Sequence, residues 1–360
     1  MRPRSGFPRT PDQPAVLLTS ANPAPAVRTA AIPDSAAPAA GLAAEYAAAA
    51  PLVRDWHAAY PVDVRRILSV HRRGAADPAL RTDAAGALWR TCLTPAGPGT
   101  LRVRARQLTV AGGGPGPVRV TAAAWGPGAR WLLESLPGML GAADQPETFT
   151  PAHPVLRQLA RRHPGVRVGR SGRVFEALVA AVLEQKVVSL EAHRSWQLLL
   201  TRFGWPAPGP APAGMRVFPP PRVWAAIPSY EWHRAGVEGV RAATIAGCAR
   251  VAGRLEEIGS MPAAAADSRL RSQPGIGPWT SAEVRQRACG DADAVTVGDY
   301  NLPAAVGWAL AGRKVDDAGM LELLTPYRGH RHRATRLIEL SGIRPPRRGP
   351  RMPVRDYRAF

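Results

Sequence analysis

Two patterns of apolar positions divide the chain. Between Trp89 and Ala124 short β-branched or alternating runs, Leu88–Leu93, Thr100–Val103, Leu108–Ala111 and Val118–Ala122, are separated by Gly/Pro turns at Pro95–Gly99 and Gly112–Pro117. That is the pattern of antiparallel strands. Helices are predicted on either side, at Val62–Arg73 and Ala129–Leu140, making a small α+β unit. From about Pro154 the period becomes helical: Val174, Phe175, Leu178, Val179, Val182 and Leu183 recur at spacings of one, three and four. They fall on one helix face that a core must cover. Further helices are predicted at Leu190–Phe203, Val223–Ile227, Ala242–Ile258, Ser281–Cys289, Leu302–Leu310 and His332–Leu340. Gly204–Arg222, which carries seven prolines, reads as an extended surface loop.

The fold class expected is therefore mainly α with an N-terminal α+β domain. The chain of 360 residues has room for two domains. The boundaries predicted are an α+β domain at 51–150 and a helical domain at 151–343. Residues 1–50 read as an Ala/Pro-rich disordered tail, with a short helix near Ala43–Ala50, because few large apolar groups offset the entropy of ordering. Residues 344–360, six Arg against one Asp among many prolines, read as a flexible basic arm or a purely solubilising one.

Charge narrows the partner. Forty-seven Lys and Arg against 27 Asp and Glu leave a net charge of +20, which points to a polyanion. Lys186 and Lys314 are the only lysines, so the basic face is built from Arg, which suits forked phosphate contacts. Cys92, Cys248 and Cys289 are far apart, with no paired-cysteine motif, so neither a disulfide framework, nor an iron-sulfur site, nor any other metal or cofactor is expected. The apolar run Ala15–Leu18 is too short for a signal-peptide core and nothing later approaches a membrane span. A soluble cytoplasmic protein, monomeric and without an obligate protein partner, is expected.

The chemistry-bearing segment runs from Leu270 to Val284. Within it Gly275-Ile276-Gly277 permits a tight turn with backbone angles closed to other residues, and the following helix offers free N–H groups that a phosphate can approach. A plain interhelical turn is the alternative. Twenty-two residues after Gly277 comes Asp299, in Val297-Gly298-Asp299-Tyr300-Asn301-Leu302-Pro303, directly before an apolar helix. A helix N-cap and a reacting carboxylate are both open to it, and the two roles are compatible.

Leu270–Val284 followed by Gly298-Asp299-Tyr300 resembles the helix-hairpin-helix, Gly/Pro loop and aspartate signature of the helix-hairpin-helix DNA glycosylases, closest to the bacterial 3-methyladenine DNA glycosylase II branch. Leu183-Glu184-Gln185-Lys186-Val187-Val188-Ser189 is similar to that family's Gln-x-Val-Ser helix end, and Pro326-Tyr327-Arg328 to its Pro-Trp-Arg turn. The resemblance implies a helical bundle plus a small antiparallel-sheet domain, bound to double-stranded DNA that holds a damaged, alkylated base. It implies base flipping, with Asp299 as the catalytic carboxylate and Trp279, Tyr300 and Glu283 at the base pocket. Gly275, Ile276, Gly277, Thr280, Gln185, Lys186 and Arg328 would contact DNA.

Departures from the pattern matter too. The helix after the hairpin has no Lys, so a monofunctional enzyme without strand cleavage is expected. Glu283 and Arg336 stand where pocket rings would be, and Lys186 where an apolar wedge would be. Arg328, His330, Arg331, His332 and Arg333 form a basic cluster able to contact the backbone, or merely a solvated helix start. The rival readings are a noncatalytic helix-hairpin-helix grip and a glycosylase for oxidised or deaminated bases.

Overall fold

The computed structural model describes residues 18–20, 50–109 and 115–346. Most of the two tails, the Ala43–Ala50 helix and the end of the Leu108–Ala111 strand lie outside the described residues.

The N-terminal part is one antiparallel sheet of six strands, β1 Leu18–Ser20, β2 Leu52–Ala58, β3 Leu80–Thr82, β4 Leu88–Thr94, β5 Gly97–Thr109 and β6 Pro115–Trp125, in the order β1-β2-β6-β5-β4-β3. Helix α1, Val64–Leu68, leads into a short 3-10 turn and covers less than the predicted Val62–Arg73, while α2, Ala129–Met139, packs across the sheet. Leu88, Cys92, Leu101, Val103, Val120 and Ala122 point to that helix and meet its Leu132, Leu133 and Leu136 in one buried cluster. Strand β2 was not evident in the sequence pattern because Arg54 and Asp55 interrupt it. Arg54 turns inward and donates from Nη1 to the Leu133 carbonyl at 2.6 Å, and Asp55 faces outward to Arg119 at 2.6 Å.

Strand β4 is buried on both faces. Its second face carries Trp89, whose ring stacks on Trp125 at 5.5 Å, with Met215 beside them. Met215 belongs to the segment 204–222, which is thus no free surface loop. It holds the two-residue strands β7 Trp205–Pro206 and β8 Arg216–Val217, and buries Trp205, Met215, Val217 and Phe218. The prolines stiffen a cover; the large apolar residues between them supply what it buries.

The helical part begins with α3 Pro154–Arg162, α4 Val174–Leu183 and α5 Ser189–Phe203. Helix α4 is buried on nearly every side rather than on one face, and its Glu176 is held by Arg90 of β4 at 3.1 Å. Three short or broken helices follow, α6 Pro221–Ala226, α7 Ser229–Arg234 and α8 Gly239–Arg250. Next is α9 Ala252–Glu256, so the single helix predicted over Ala242–Ile258 breaks at Val251. Then come α10 Ala263–Arg271 and α11 Pro278–Val284, the latter continuing as a π turn, Arg285–Cys289. Helices α12 Leu302–Ala311, α13 Asp317–Leu324 and α14 Arg331–Ser341 close the chain. They bury Leu302, Val306, Met320, Leu324 and Ile338 against Leu156 and Leu159 of α3, in a cluster apart from the one around α4. No described helix is long and apolar enough to cross a membrane.

Candidate active site

The hairpin connects α10 to α11. Gly275 has φ +83°, and a Cβ there would lie 2.2 Å from Thr244 Oγ1, so both backbone angle and space demand glycine. Ile276 is buried and anchors the turn to the core around α4. Gly277 caps α11, with nothing within 4 Å of the place a side chain would take, which leaves the approach to the first turn open. Gln185, at the end of α4, donates from Nε2 to the Gly275 carbonyl at 3.0 Å and to Thr280 Oγ1 at 2.8 Å. Gln185 and the buried Thr280 therefore brace the turn from behind. Lys186 is exposed and has φ +54°, the one non-glycine residue with positive φ among those described. Arg328 is exposed on the turn before α14, and no bond among the described residues joins it to the hairpin.

Asp299 sits one turn before α12. Its Oδ1 accepts from the backbone N–H groups of Asn301 at 2.8 Å and Leu302 at 2.9 Å, so the side chain does cap the helix. Its Oδ2 is left for another partner, and Trp279 Nε1 donates to it at 3.1 Å. Trp279 is the second residue of α11 and packs against the core around α4. One indole thus ties the turn at Gly275–Gly277 to the carboxylate.

Asp299 also lines a cavity of about 480 Å³ where the N-terminal part meets α3, α11 and α14. A volume of this order holds a ligand the size of a nucleobase with its sugar. The rings of Tyr60 and Phe149 stand in its wall, with Arg167 over the Tyr60 ring at 3.9 Å. Glu283, Gln286 and Arg287 enter from α11 and its π turn, and Thr296 from the loop before Asp299. His332, Thr335 and Arg336 enter from α14. Glu283 is 8% exposed and pairs with Arg287 at 2.6 Å. Burial pushes its carboxyl up to about 7 against the pull of Arg287. Burial, aided by Arg287, Arg336 and Arg333, pushes His332 down to about 3, and its Nδ1 has no hydrogen-bond partner.

The residues expected around a base pocket separate. Glu283 lines the cavity, whereas Trp279 does not; it is spent on packing and on Asp299. Tyr300 is 91% exposed and does not line the cavity. The rings that do line the space, Tyr60 and Phe149, belong to distant segments for which the sequence carried no signal. Nor is the basic cluster of α14 a free surface: Arg331 pairs with Asp293 at 2.5 Å, and Arg333 pairs with the buried Asp144. Arg336 bonds Ser69 Oγ at 3.1 Å and lines the cavity. The three cysteines are unpaired, and no cluster among the described residues has the ligands for a metal.

No family model matches the sequence, and no curated protein matches it. Solved structures do share the fold. A 3-methyladenine DNA glycosylase from Archaeoglobus fulgidus superposes with a TM-score of 0.62 at 16% identity, over 80% of this chain and 98% of that one. MBOgg1, in complex with a low-affinity DNA ligand, superposes at 0.61 with 14% identity, over 79% and 93%. The 8-oxoguanine glycosylase/lyase of Clostridium acetobutylicum, in complex with double-stranded DNA, superposes at 0.57 with 11% identity, over 81% and 96%. The chain has the fold of the helix-hairpin-helix DNA glycosylases.

Proposed function

We propose that the chain is a DNA glycosylase that hydrolyses the N-glycosidic bond of a damaged, alkylated base, flipped from the duplex into the cavity beside Asp299. One observation carries the reading: the carboxylate that lines the cavity is hydrogen-bonded at 3.1 Å to the first turn of the helix that follows the hairpin turn. A backbone gripped at Gly275–Gly277 sets the nucleotide next to the group that reacts with it. As the base departs, positive charge develops on the sugar, and Asp299, already oriented by three N–H donors, stabilises it and directs water to the opposite face. The net charge of +20 supplies the attraction to phosphate. What favours an alkylated base is the shared fold with the Archaeoglobus enzyme.

The reaction is monofunctional. Neither lysine lines the cavity: Lys186 is exposed at the end of α4 and Lys314 follows α12. Among the described residues no lysine is placed in the cavity to form a Schiff base at the sugar. The test is a set of duplexes, each with one lesion, incubated with protein and scored for abasic sites after alkali. Release of a base by the wild type, and its loss by several orders of magnitude in Asp299→Asn with DNA affinity kept, is the expected result. Undiminished release by Asp299→Asn refutes the assignment, and a covalent adduct trapped by borohydride refutes the monofunctional chemistry.

A further inference from the structure

Four carboxyl groups, Glu147, Glu283, Asp299 and Glu339, line the cavity, and the surroundings of Asp299 and Glu283 differ. Asp299 is occupied as an acceptor by three N–H donors, the part of a carboxylate. Glu283 is 8% exposed, and among the described residues no N–H group reaches its carboxyl except those of Arg287. The groups that face it are Arg287 from the π turn after α11, Glu184 from the end of α4, Arg73 from the loop after α1, and Glu339 from α14. His332 and Arg336 of α14 line the same space. Glu184 is held by Arg73 at 3.5 Å and by His193 at 3.8 Å, so it contributes negative charge close to a second acid. Burial and these like charges raise Glu283 to about 7, so at neutral pH its protonated and ionised forms are both populated.

Arg287 makes the protonated form tolerable. When Glu283 takes a proton the ion pair is lost, yet Arg287 still donates from Nε to the Val70 carbonyl at 3.0 Å and from Nη1 to the Glu283 carbonyl at 3.2 Å. No buried cation is left without acceptors, which is the usual obstacle to protonating one member of a buried pair. Pairs of acids set apart in this way divide the work of acid and anion in glycoside hydrolysis.

We propose that Glu283 is the acid that protonates the departing base, and that it brings uncharged damaged bases, not only cationic ones, within the enzyme's reach. The inference rests on the glycosylase reading above. The C1′–N bond breaks with its electron pair passing to the base, and the Glu283 proton goes to a ring nitrogen of that base. Water adds its oxygen to C1′, and its proton passes to Asp299 and on to solvent. Glu283, left as a carboxylate beside Arg287, regains a proton from solvent. A cationic base such as 7-methylguanine leaves as a neutral molecule and needs no such proton. An uncharged base such as hypoxanthine or 1,N6-ethenoadenine does.

The experiment compares single-turnover release of 7-methylguanine with release of hypoxanthine and 1,N6-ethenoadenine, from pH 5 to 9, by wild type, Glu283→Gln and Glu283→Asp. For the wild type, release of the uncharged bases falls above about pH 7 and release of 7-methylguanine does not. Glu283→Gln loses that falling limb and shifts the ratio of rates toward 7-methylguanine by about 100-fold or more, the contribution typical of a general acid. Glu283→Asp, which keeps the proton, recovers part of the ratio and the limb. The wild-type profile needs no substitution, so a Gln variant that does not fold leaves the test intact. Equal loss on all duplexes, one pH profile for all three bases, or release of 7-methylguanine alone by the wild type overturns the acid and leaves the glycosylase standing. Release of none of the three by the wild type overturns both.

Discussion

Trp279→Phe isolates the bond between hairpin and carboxylate. Phenylalanine keeps a ring in the packing beside the core around α4 and removes the N–H that reaches Asp299 Oδ2 at 3.1 Å. The carboxylate stays anchored through Oδ1 by the N–H groups of Asn301 and Leu302, so Asp299 is loosened rather than released. A hydrogen bond to a charged group contributes about 1.5 to 3 kcal/mol. At about 1.4 kcal/mol per decade of rate, its loss corresponds to a roughly 10- to 100-fold slower chemical step. DNA affinity should hardly change, because the turn at Gly275–Gly277 is untouched. The assay is single-turnover release of a base, run as a double-mutant cycle with Asp299→Asn. If Trp279 acts through Asp299, Trp279→Phe slows the wild type by that factor and changes the residual rate of Asp299→Asn little. An equal loss in both backgrounds, or none in the wild type, refutes the reasoning and makes Trp279 a packing residue only.

Two other perturbations follow from the same geometry. Gly275→Ala sets a methyl group 2.2 Å from Thr244 Oγ1 at φ +83°; the backbone conformation alone costs about 1 to 2 kcal/mol. DNA affinity measured by fluorescence anisotropy and the melting temperature should both drop, and adding Thr244→Ala should recover only the part due to the clash. His332 is neutral in the folded protein down to about pH 3 but takes a proton near 6.5 once unfolded, so the unfolded state binds more protons in that window. Stability is therefore lost as pH falls from about 6.5 to 3, by at most about 5 kcal/mol because the ring faces a cavity that water can enter. His332→Gln should flatten that part of a urea-denaturation profile against pH, and an unchanged slope would show that the acid sensitivity lies elsewhere.

Short-range geometry is what the amino-acid order determined unaided. The turn needs a residue without a Cβ at Gly275, and Asp299 stands where a helix start needs an acceptor, so both were legible before any packing was known. The same holds for β4–β6 and for the helical period of α4, which repeat at the spacing of their own backbone. Tertiary structure decided the rest. Strand β2 exists because Leu52 faces Ala124, a partner far along the chain, and 204–222 folds inward because the second face of β4 needs a cover. The cavity is assembled from Tyr60, Phe149, Gln286, Thr296 and His332, residues with no common period, and Tyr300, the ring adjacent to Asp299, is directed to solvent. A nucleobase-sized space is a property of how separate elements meet, and burial in that space, rather than its place in the chain, turns Glu283 from an ordinary carboxylate into a group poised near neutrality.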